Sequence, residues 1–314
     1  MAFSHMPGRV LIFGAGGRIG GAVARKLQYL APDICLRLVT SRRGAAADLM
    51  KSYPTHEVVV ADFNEASTIH ACFADIDAAF LVTPNFLDEH AAMGHIVAGV
   101  RKSSGFRQLF RIVGDQPGMT PRRVPDGLRN RPGPAMQHYQ ARQVLEQADL
   151  PTVFLNTANL MSNLFANAPG IVEHGVLAQP PRTHGWIDVD DVAEVAALLI
   201  KSGDQRHTGQ TYDLDNNYDV ISWEQVTEIL ASVLMRPMIY DPSPQGFLKH
   251  VGPVYRRKMG FDDADRYFLQ YFTWEAHNDL AWRRTDFVER MLGRRPKTVR
   301  AWIEQNYVSF VKAP

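Results

Sequence analysis

The sequence predicts an α/β protein with a doubly wound, mostly parallel sheet and a smaller, mostly helical C-terminal lobe. The first observation behind this prediction is an apolar strand at 9–13, which runs into a glycine-rich turn and then into a helix. The second is the alternation of strand and helix patterns between residues 9 and 155, which is typical of βαβ units. The third is a helical, aromatic pattern from about residue 217 onward.

Glycines dominate the turn after the first strand, which has the sequence Gly14-Ala-Gly-Gly-Arg-Ile-Gly20. Glycine lets the backbone turn tightly and approach a pyrophosphate, to which the N-terminus of the next helix presents free N–H groups and a partial positive charge. Such a turn could also serve only to pack a helix closely on a strand. Because this one follows a strand and opens a helix, expected from about Gly21, it predicts a Rossmann-type cofactor site. The residues assigned to the cofactor here are Gly14, Gly17, Arg18, Ile19 and Gly20.

The end of the second predicted strand, 34–40, indicates which cofactor binds. Ser41, Arg42 and Arg43 follow this strand, and none of the three is acidic. NAD-binding proteins usually carry an acid here that bonds the ribose hydroxyls, whereas guanidinium groups pair bidentately with a 2′-phosphate. Arg42 and Arg43 could also be solvated residues at the start of a helix. We expect NADP(H), bound by all three residues, with Arg18 in reach of the same phosphate.

Two further strand ends are expected to complete the cofactor site, because ligands of open α/β sheets lie outside the carboxyl ends of the strands. Asp62 and Phe63 follow the third predicted strand and are candidates for the adenine pocket. Thr83 and Pro84 follow the fourth and are expected nearer the centre of the cofactor. These and the later elements are predicted as strands at 58–61, 78–82, 108–113 and 152–155, with helices at 86–103 and 135–148.

The same pattern divides the chain into two parts. Residues 7–160 are predicted to form the cofactor-binding domain, to which residues 186–216 return. Residues 161–185 and 217–314 are predicted to form a lobe that binds the substrate.

Two helix starts in the later chain carry the signature of a capping box, in which a polar residue is followed three positions later by Glu or Gln. They lie at Asp191–Glu194 and at Ser222–Gln225, on either side of a strand predicted at 209–214. Each is expected to begin an apolar or amphipathic helix.

Composition argues against several classes of function. The 314 residues are 46% hydrophobic and 21% charged, which is ordinary for a globular enzyme. A net charge of +1 gives no indication of a nucleic acid or an anionic membrane as a partner. No segment has the apolar length that a membrane span needs, and Cys35 and Cys72 imply neither a disulfide framework nor a metal site. We expect a cytoplasmic protein with a small-molecule substrate and no metal, and a homodimer stays open.

Several segments of the chain together resemble a known family. They are the glycine turn, Asp62-Phe63, Phe80–Pro84, Leu155–Asn163, Trp186–Ala196 and Thr285–Thr298, and their order is more specific than any one of them. On these residues the chain is similar to the NmrA-like family of atypical short-chain dehydrogenases/reductases over nearly its whole length. The resemblance implies a Rossmann core with a smaller substrate lobe, and NADP(H) as the cofactor. The family includes NADPH-dependent quinone, triphenylmethane-dye and isoflavone or phenylpropanoid reductases, and also NADP-binding regulators.

The resemblance also singles out one candidate catalytic residue. Ordinary short-chain dehydrogenases use Tyr-x-x-x-Lys, and no such pair stands at the expected helix. Counting back from 148–150, the lysine position falls on His138 and the tyrosine position on Pro134, and related reductases carry Lys or His at the first of these. His138 could donate a proton as hydride arrives, only contact the nicotinamide ribose, or do neither. We assign His138 to catalysis and to cofactor binding.

The chain departs from the family pattern after its sixth strand, where the usual Arg-Pro is replaced by Asn156-Thr157. The backbone of Thr157, Ala158 and Asn159 could still flank the nicotinamide, and Thr157 and Asn159 are therefore assigned to the cofactor. This departure affects the expected substrate pocket more than the expected cofactor site.

Three functions follow from these residues and from the resemblance. The first is an NADPH-dependent reductase that transfers hydride to a small conjugated or aromatic carbonyl, quinone or imine. The second is an NADP(H)-sensing regulator without turnover, and the third is a non-redox isomerase or cyclase. For the reductase we expect an apolar enclosure made by Tyr255, Phe261, Tyr267, Phe268, Tyr271 and Trp274.

Overall fold

The computed structural model describes residues 5–115, 119–277 and 284–312. Seven parallel strands form its main sheet, and they are β1 (Arg9–Phe13), β2 (Cys35–Thr40), β3 (Glu57–Val60), β4 (Ala78–Leu81), β5 (Gln108–Val113), β6 (Thr152–Thr157) and β10 (Thr211–Leu214). Their order across the sheet is β10-β6-β5-β4-β1-β2-β3, so the direction of winding reverses between β1 and β4. The predicted doubly wound α/β fold is confirmed, and each strand lies within two residues of its predicted bounds.

Helices cover both faces of the main sheet. The helices before β10 in the chain are α1 (Arg18–Leu30), α2 (Arg43–Ser52), α3 (Ala66–Cys72), α4 (Glu89–Lys102), α5 (Asp126–Arg129), α6 (Pro134–Gln147), α7 (Ala168–His174) and α8 (Val189–Ser202). Of these, α1, α2 and α8 pack on one face of the main sheet and α3, α4 and α6 on the other, whereas α5 and α7 belong to neither core. Successive residues of β1 point to opposite faces. Val10 and Ile12 lie in a core with α1 and α8, whereas Leu11 and Phe13 lie in a second core with α3, α4 and α6. All four side chains are fully buried, as expected for a parallel sheet covered on both faces.

A second lobe packs beside the carboxyl edge of the main sheet. Its strands are β7 (Asn159–Leu160), β8 (Val176–Ala178), β9 (Thr183–Ile187), β11 (Val220–Ser222) and β12 (Ile239–Asp241), which form two small sheets, β11-β9-β7 and β12-β8. The later helices are α9 (Trp223–Leu234), α10 (Pro244–His250), α11 (Gly252–Met259), α12 (Ala264–His277), α13 (Phe287–Leu292) and α14 (Val299–Gln305). A 3-10 helix, Met161–Asn167, connects β7 to α7. α13 packs on α8 and β10 of the main sheet, although the sequence assigns its residues to the substrate lobe.

The two predicted capping boxes have different outcomes. Ser222 and Gln225 form both hydrogen bonds of the box at the start of α9, which confirms that prediction. The prediction at Asp191 is wrong, since α8 already begins at Val189. The carboxylate of Asp191 instead accepts the Lys297 N–H at 2.8 Å, a contact from a distant segment that the local pattern does not contain.

The first helix begins at Arg18, three residues before the predicted start at Gly21. Gly17, at the N-cap, keeps an extended backbone (φ −102°, ψ 177°), and the turn is therefore shorter than the glycine spacing indicates. None of the described helices is long and apolar enough to cross a membrane. Among the described residues, no group of three or more His, Cys, Asp or Glu side chains is arranged to hold a metal ion.

Gly20 is required where α1 approaches β1 most closely. A Cβ at this position would lie 2.4 Å from the backbone oxygen of Gly14 and 2.7 Å from that of Phe13, and neither atom can move without distorting the turn. We therefore expect Gly20→Ala to lower the free energy of unfolding by about 2–4 kcal/mol, measured by urea denaturation.

Gly94, on the exposed side of α4, is the matched control because a Cβ there meets no atom within 4 Å. Gly94→Ala should stabilise the protein by about 0.5–1 kcal/mol, since alanine is the better helix former. A Gly20→Ala variant as stable as wild type would contradict the close approach of helix and strand.

Candidate functional site

A cleft of about 720 Å³ runs along the carboxyl ends of β1, β2, β3 and β4. We call it the long cleft. It lies at the reversal of strand order, where open α/β sheets place their ligands. Of the residues that the sequence assigns to the cofactor, those that line the long cleft are Gly14, Gly17, Arg18, Ile19, Gly20, Ser41, Arg42, Asp62, Phe63, Thr83 and Pro84.

The glycine turn forms the floor of the long cleft. Gly14 has a positive φ of 68°, a conformation that favours glycine, and its carbonyl accepts the Gly17 N–H at 2.8 Å. α1 starts directly after this turn with no side-chain cap and no acidic residue in its first turn. The positive end of the helix dipole therefore faces the cleft without a competing carboxylate.

One end of the long cleft is formed by the ends of β2 and β3. Ser41 and Arg42 line it, whereas Arg43 is the first residue of α2 and lines neither of the cavities described here. Asp62 lies across from them, and its carboxylate accepts both the backbone and the side-chain N–H of Asn64 at 2.9 Å. Asp62, the acid at this end of the cleft, is therefore hydrogen-bonded within its own loop.

Arg18 is held by contacts outside the glycine turn. Its Nη1 donates to the backbone oxygen of Ser162 at 3.3 Å, and its guanidinium lies 5.1 Å from the ring centroid of Phe165. Both partners belong to the 3-10 helix that leads into the second lobe. The side chain is thus held toward that lobe, and its contact with a phosphate shared with Arg42 stays a prediction.

A second cavity, of about 290 Å³, lies between the main sheet and the second lobe. We call it the inner cavity. It adjoins the long cleft, since both are lined by Ile19, Val82, Thr83, Asn85, Leu160, Asn163 and Lys258, and we call this shared wall the junction. The remaining predicted residues, His138, Thr157 and Asn159, line the inner cavity. The residues that the sequence assigns to the cofactor therefore lie on both sides of the junction between the long cleft and the inner cavity.

His138 lies on α6 beside the end of β5. A Cβ at Gly114 would lie 3.1 Å from its Nε2, so the ring sits directly against this strand end. Its Nδ1 is buried and has no hydrogen-bond partner among the described residues. Burial, reinforced by the positive charge of Arg111, lowers the pKa of His138 to about 4. The imidazole is therefore neutral at neutral pH.

A buried polar network that the sequence analysis missed holds Thr83 at the junction. Arg111 and Glu89 form an ion pair at 3.0 Å whose side chains are 1% and 0% exposed. Thr83 Oγ1 accepts from Nη2 of Arg111 at 2.8 Å and from Nε2 of Gln137 at 3.1 Å, and it donates to Glu89. The available signal was Arg111, a charged residue flanked by apolar residues in a central strand.

The wall of the inner cavity that belongs to the second lobe is aromatic, as expected, but its members differ from those predicted. Tyr255, Phe268 and Tyr271 line it, together with Phe272 and Trp223, which were not predicted. Phe261 and Tyr267 instead pack around Phe86, at centroid distances of 4.8 and 4.9 Å, and Trp274 donates its indole N–H to the Arg123 carbonyl.

The same wall contains a second buried ion pair, between Arg182 and Glu275. Their side chains are 9% and 4% exposed, and both line the inner cavity. Burial raises the pKa of the neighbouring Tyr271 well above its usual value and lowers that of His184 well below. Tyr271 is therefore a neutral phenol and His184 a neutral imidazole at neutral pH.

The sheet order, the glycine turn and the cleft at the reversal point define a protein of the Rossmann class with a second lobe over its ligand edge. The chain belongs to the NmrA-like family, whose model matches residues 6–268.

Two curated relatives are named as reductases. One, from Streptomyces griseus, is a (4-alkanoyl-5-oxo-2,5-dihydrofuran-3-yl)methyl phosphate reductase that is 27% identical over 241 residues, which cover 74% of this chain and 76% of the relative. The other is an NAD(P)H azoreductase from Xenophilus azovorans, 24% identical over 239 residues with the same coverage.

Solved structures share the fold. An NADPH-dependent quinone oxidoreductase from Escherichia coli, crystallised with NADPH, has a TM-score of 0.76 at 16% identity, covering 95% of this chain and 99% of that one. A triphenylmethane reductase from Citrobacter, crystallised with NADP(H), has a TM-score of 0.73 at 15% identity, with coverage of 95% and 99%.

The low pKa of His138 has a consequence for stability. In the unfolded chain a histidine titrates near pH 6.5, so between about pH 6.5 and 4 the unfolded state binds the extra proton. This group therefore lowers stability progressively as pH falls through that window, by up to about 3 kcal/mol, and the loss levels off below it. We expect His138→Gln to reduce the stability lost between about pH 7 and about pH 4.5, measured by urea unfolding at both values.

The control for this measurement is His90→Gln, at an exposed position of α4, which should leave the pH dependence as in wild type. If His138→Gln and wild type lose the same stability on acidification, the buried neutral imidazole is contradicted.

Proposed function

We propose that this protein is an NADPH-dependent reductase that transfers hydride to a small conjugated or aromatic carbonyl, quinone or imine. The observation that carries the proposal is the junction between the long cleft and the inner cavity. Ile19, Thr83 and Leu160 line both, so an extended ligand in the long cleft reaches the aromatic cavity. The long cleft suits a dinucleotide, and the aromatic inner cavity suits an apolar, conjugated acceptor.

The residues of the long cleft fit NADP(H). The glycine turn and the uncapped start of α1 suit a diphosphate, because they combine close backbone approach with a positive helix end. Ser41 and Arg42 suit a 2′-phosphate, and neither is an acid that would repel it. When bound, NADPH supplies the hydride.

The relatives support a conjugated acceptor. Their names denote reduction of an acyl dihydrofuranone phosphate and of azo compounds, and the two structural neighbours are named for quinones and triphenylmethane dyes. The aromatic rings of Tyr255, Phe268 and Phe272 offer a flat, apolar surface to acceptors of this kind.

His138 is proposed to act as a contact rather than as a proton donor. With a pKa near 4 it carries no imidazolium proton to donate at neutral pH, whereas its neutral ring lines the inner cavity and can contact the nicotinamide or the acceptor there. The proton that balances the added hydride then comes from water.

Arg42 provides a test of the cofactor. Arg42→Ala should raise the Kd for NADPH about tenfold or more and change the Kd for NADH less than about twofold, because only NADPH carries the 2′-phosphate. Both constants can be measured by the fluorescence of the bound reduced nicotinamide.

The adjacent Arg43 is the control, since it has the same charge but lines neither cavity. Arg43→Ala should leave both constants close to those of wild type. Equal losses of NADPH and NADH affinity in Arg42→Ala would exclude a 2′-phosphate contact.

The reductase itself is tested by following NADPH absorbance with a panel of quinones, enones, imines, azo compounds and triphenylmethane dyes. We expect oxidation of NADPH with at least one conjugated acceptor, and no oxidation without an acceptor. Tight NADPH binding with no oxidation across the panel would contradict the reductase and favour a cofactor-sensing regulator or a non-redox catalyst, in keeping with the missing Tyr-x-x-x-Lys.

A further inference from the structure

Lys258 stands at the junction of the two cavities and has no role in the function proposed above. It lies near the end of α11 in the second lobe and lines both the long cleft and the inner cavity. Arg18, at the start of α1, also lines the long cleft, near enough for its charge to act on Lys258, and the Ser162 carbonyl and the Phe165 ring hold it there. One cation from each lobe therefore faces the same space.

Neither cation is neutralised by an acid. Among the residues that the structure describes, no ion pair includes Arg18 or Lys258. The acids in the walls are Asp62, whose carboxylate is bonded to Asn64 at the other end, and Glu275, which pairs with Arg182. Partial desolvation in the cleft wall, and then the charge of Arg18, lower the pKa of Lys258 from its usual value, although both side chains keep an exposed surface in the open cleft.

An anion between the two side chains would remove the repulsion between their charges. The position of the two cations along the long cleft indicates which anion would bind between them. Ser41 and Asp62 mark the end proposed for the adenosine, whereas Lys258 lies at the end shared with the inner cavity. The glycine turn, on which a diphosphate is proposed to lie, stands between the two ends. The phosphate on the nicotinamide side of that diphosphate is therefore the group that Lys258 and Arg18 would face.

We propose that Arg18 and Lys258 form a phosphate-binding pair that holds the diphosphate of the dinucleotide between the glycine turn and α11. The second lobe then contributes directly to cofactor binding as well as to the acceptor cavity. This inference rests on the proposed use of NADP(H). It also gives Arg18 a role that differs from the 2′-phosphate contact expected from the sequence.

The test compares two ligands and three variants. Lys258→Met removes the charge and keeps the length of the side chain, Lys258→Arg restores a charge, and Arg257→Met is the control. Arg257 precedes Lys258 on α11 and is exposed like it, but it lines neither cavity. The ligands are NADPH and adenosine 2′,5′-bisphosphate, which carries the 2′-phosphate and only the adenosine-side phosphate. Their Kd values are measured by fluorescence and calorimetry, and thermal melting verifies that each variant is folded.

We expect Lys258→Met to raise the Kd for NADPH about tenfold and to change the Kd for the bisphosphate less than about twofold. Lys258→Arg should recover most of the NADPH affinity, and Arg257→Met should bind both ligands like wild type. Raising the salt concentration should weaken NADPH binding more in wild type than in Lys258→Met, because one charge contact is missing from the variant.

Several results would overturn the inference. An unchanged Kd for NADPH in a folded Lys258→Met variant would remove Lys258 from the cofactor site, and a raised KM only for phosphate-bearing acceptors would assign it to the substrate. Equal losses for NADPH and the bisphosphate would indicate a general effect of charge. If wild type bound the bisphosphate but not NADPH, the proposed function itself would fail, and this outcome is distinguishable from the failure of the pair alone.

Discussion

The buried ion pair between Arg111 and Glu89 is the interaction on which the centre of the site depends. Two charges removed from water on a central strand and the helix beside it are tolerated only as a pair, and removal of one partner from such a pair typically costs about 3–5 kcal/mol. The pair fixes α4 against β5 and, through Thr83, sets the shape of the passage between the two cavities. It also acts on His138, whose pKa is lowered by Arg111 and raised less by Glu89.

Local patterns in the sequence were enough to predict most of the main sheet. The glycine turn, the strand ends at Ser41, Asp62 and Thr83, and the capping box at Ser222 are all determined by residues within a few positions of one another. The sequence also located the walls of the long cleft, because the carboxyl ends of parallel strands all lie at the same edge of the sheet.

The parts of the site that could not be predicted depend on residues far apart in the chain. The direction of Arg18 is set by Ser162, 144 positions later. Asp191 lies inside α8, and its carboxylate accepts the N–H of Lys297, 106 positions later. Neither spacing leaves a periodic signal. The sequence analysis likewise listed six aromatic residues for one cavity without the means to tell which ones turn inward, so Phe272 replaced Phe261 and Tyr267.

The segment 284–312 has a consequence for how the molecule reaches its fold. Val288 of α13 belongs to a core of the main sheet, whereas Val299 and Trp302 of α14 complete the core of the second lobe around α9. Between them, the Lys297 N–H donates to Asp191 of α8, and its carbonyl accepts from the side chain of Asn216 in the loop after β10. Both cores are complete only when residues 284–312 have packed against them. The two lobes are therefore coupled into a single cooperative folding unit with many long-range contacts, a topology that favours slow folding and disfavours a stable state with only one lobe formed.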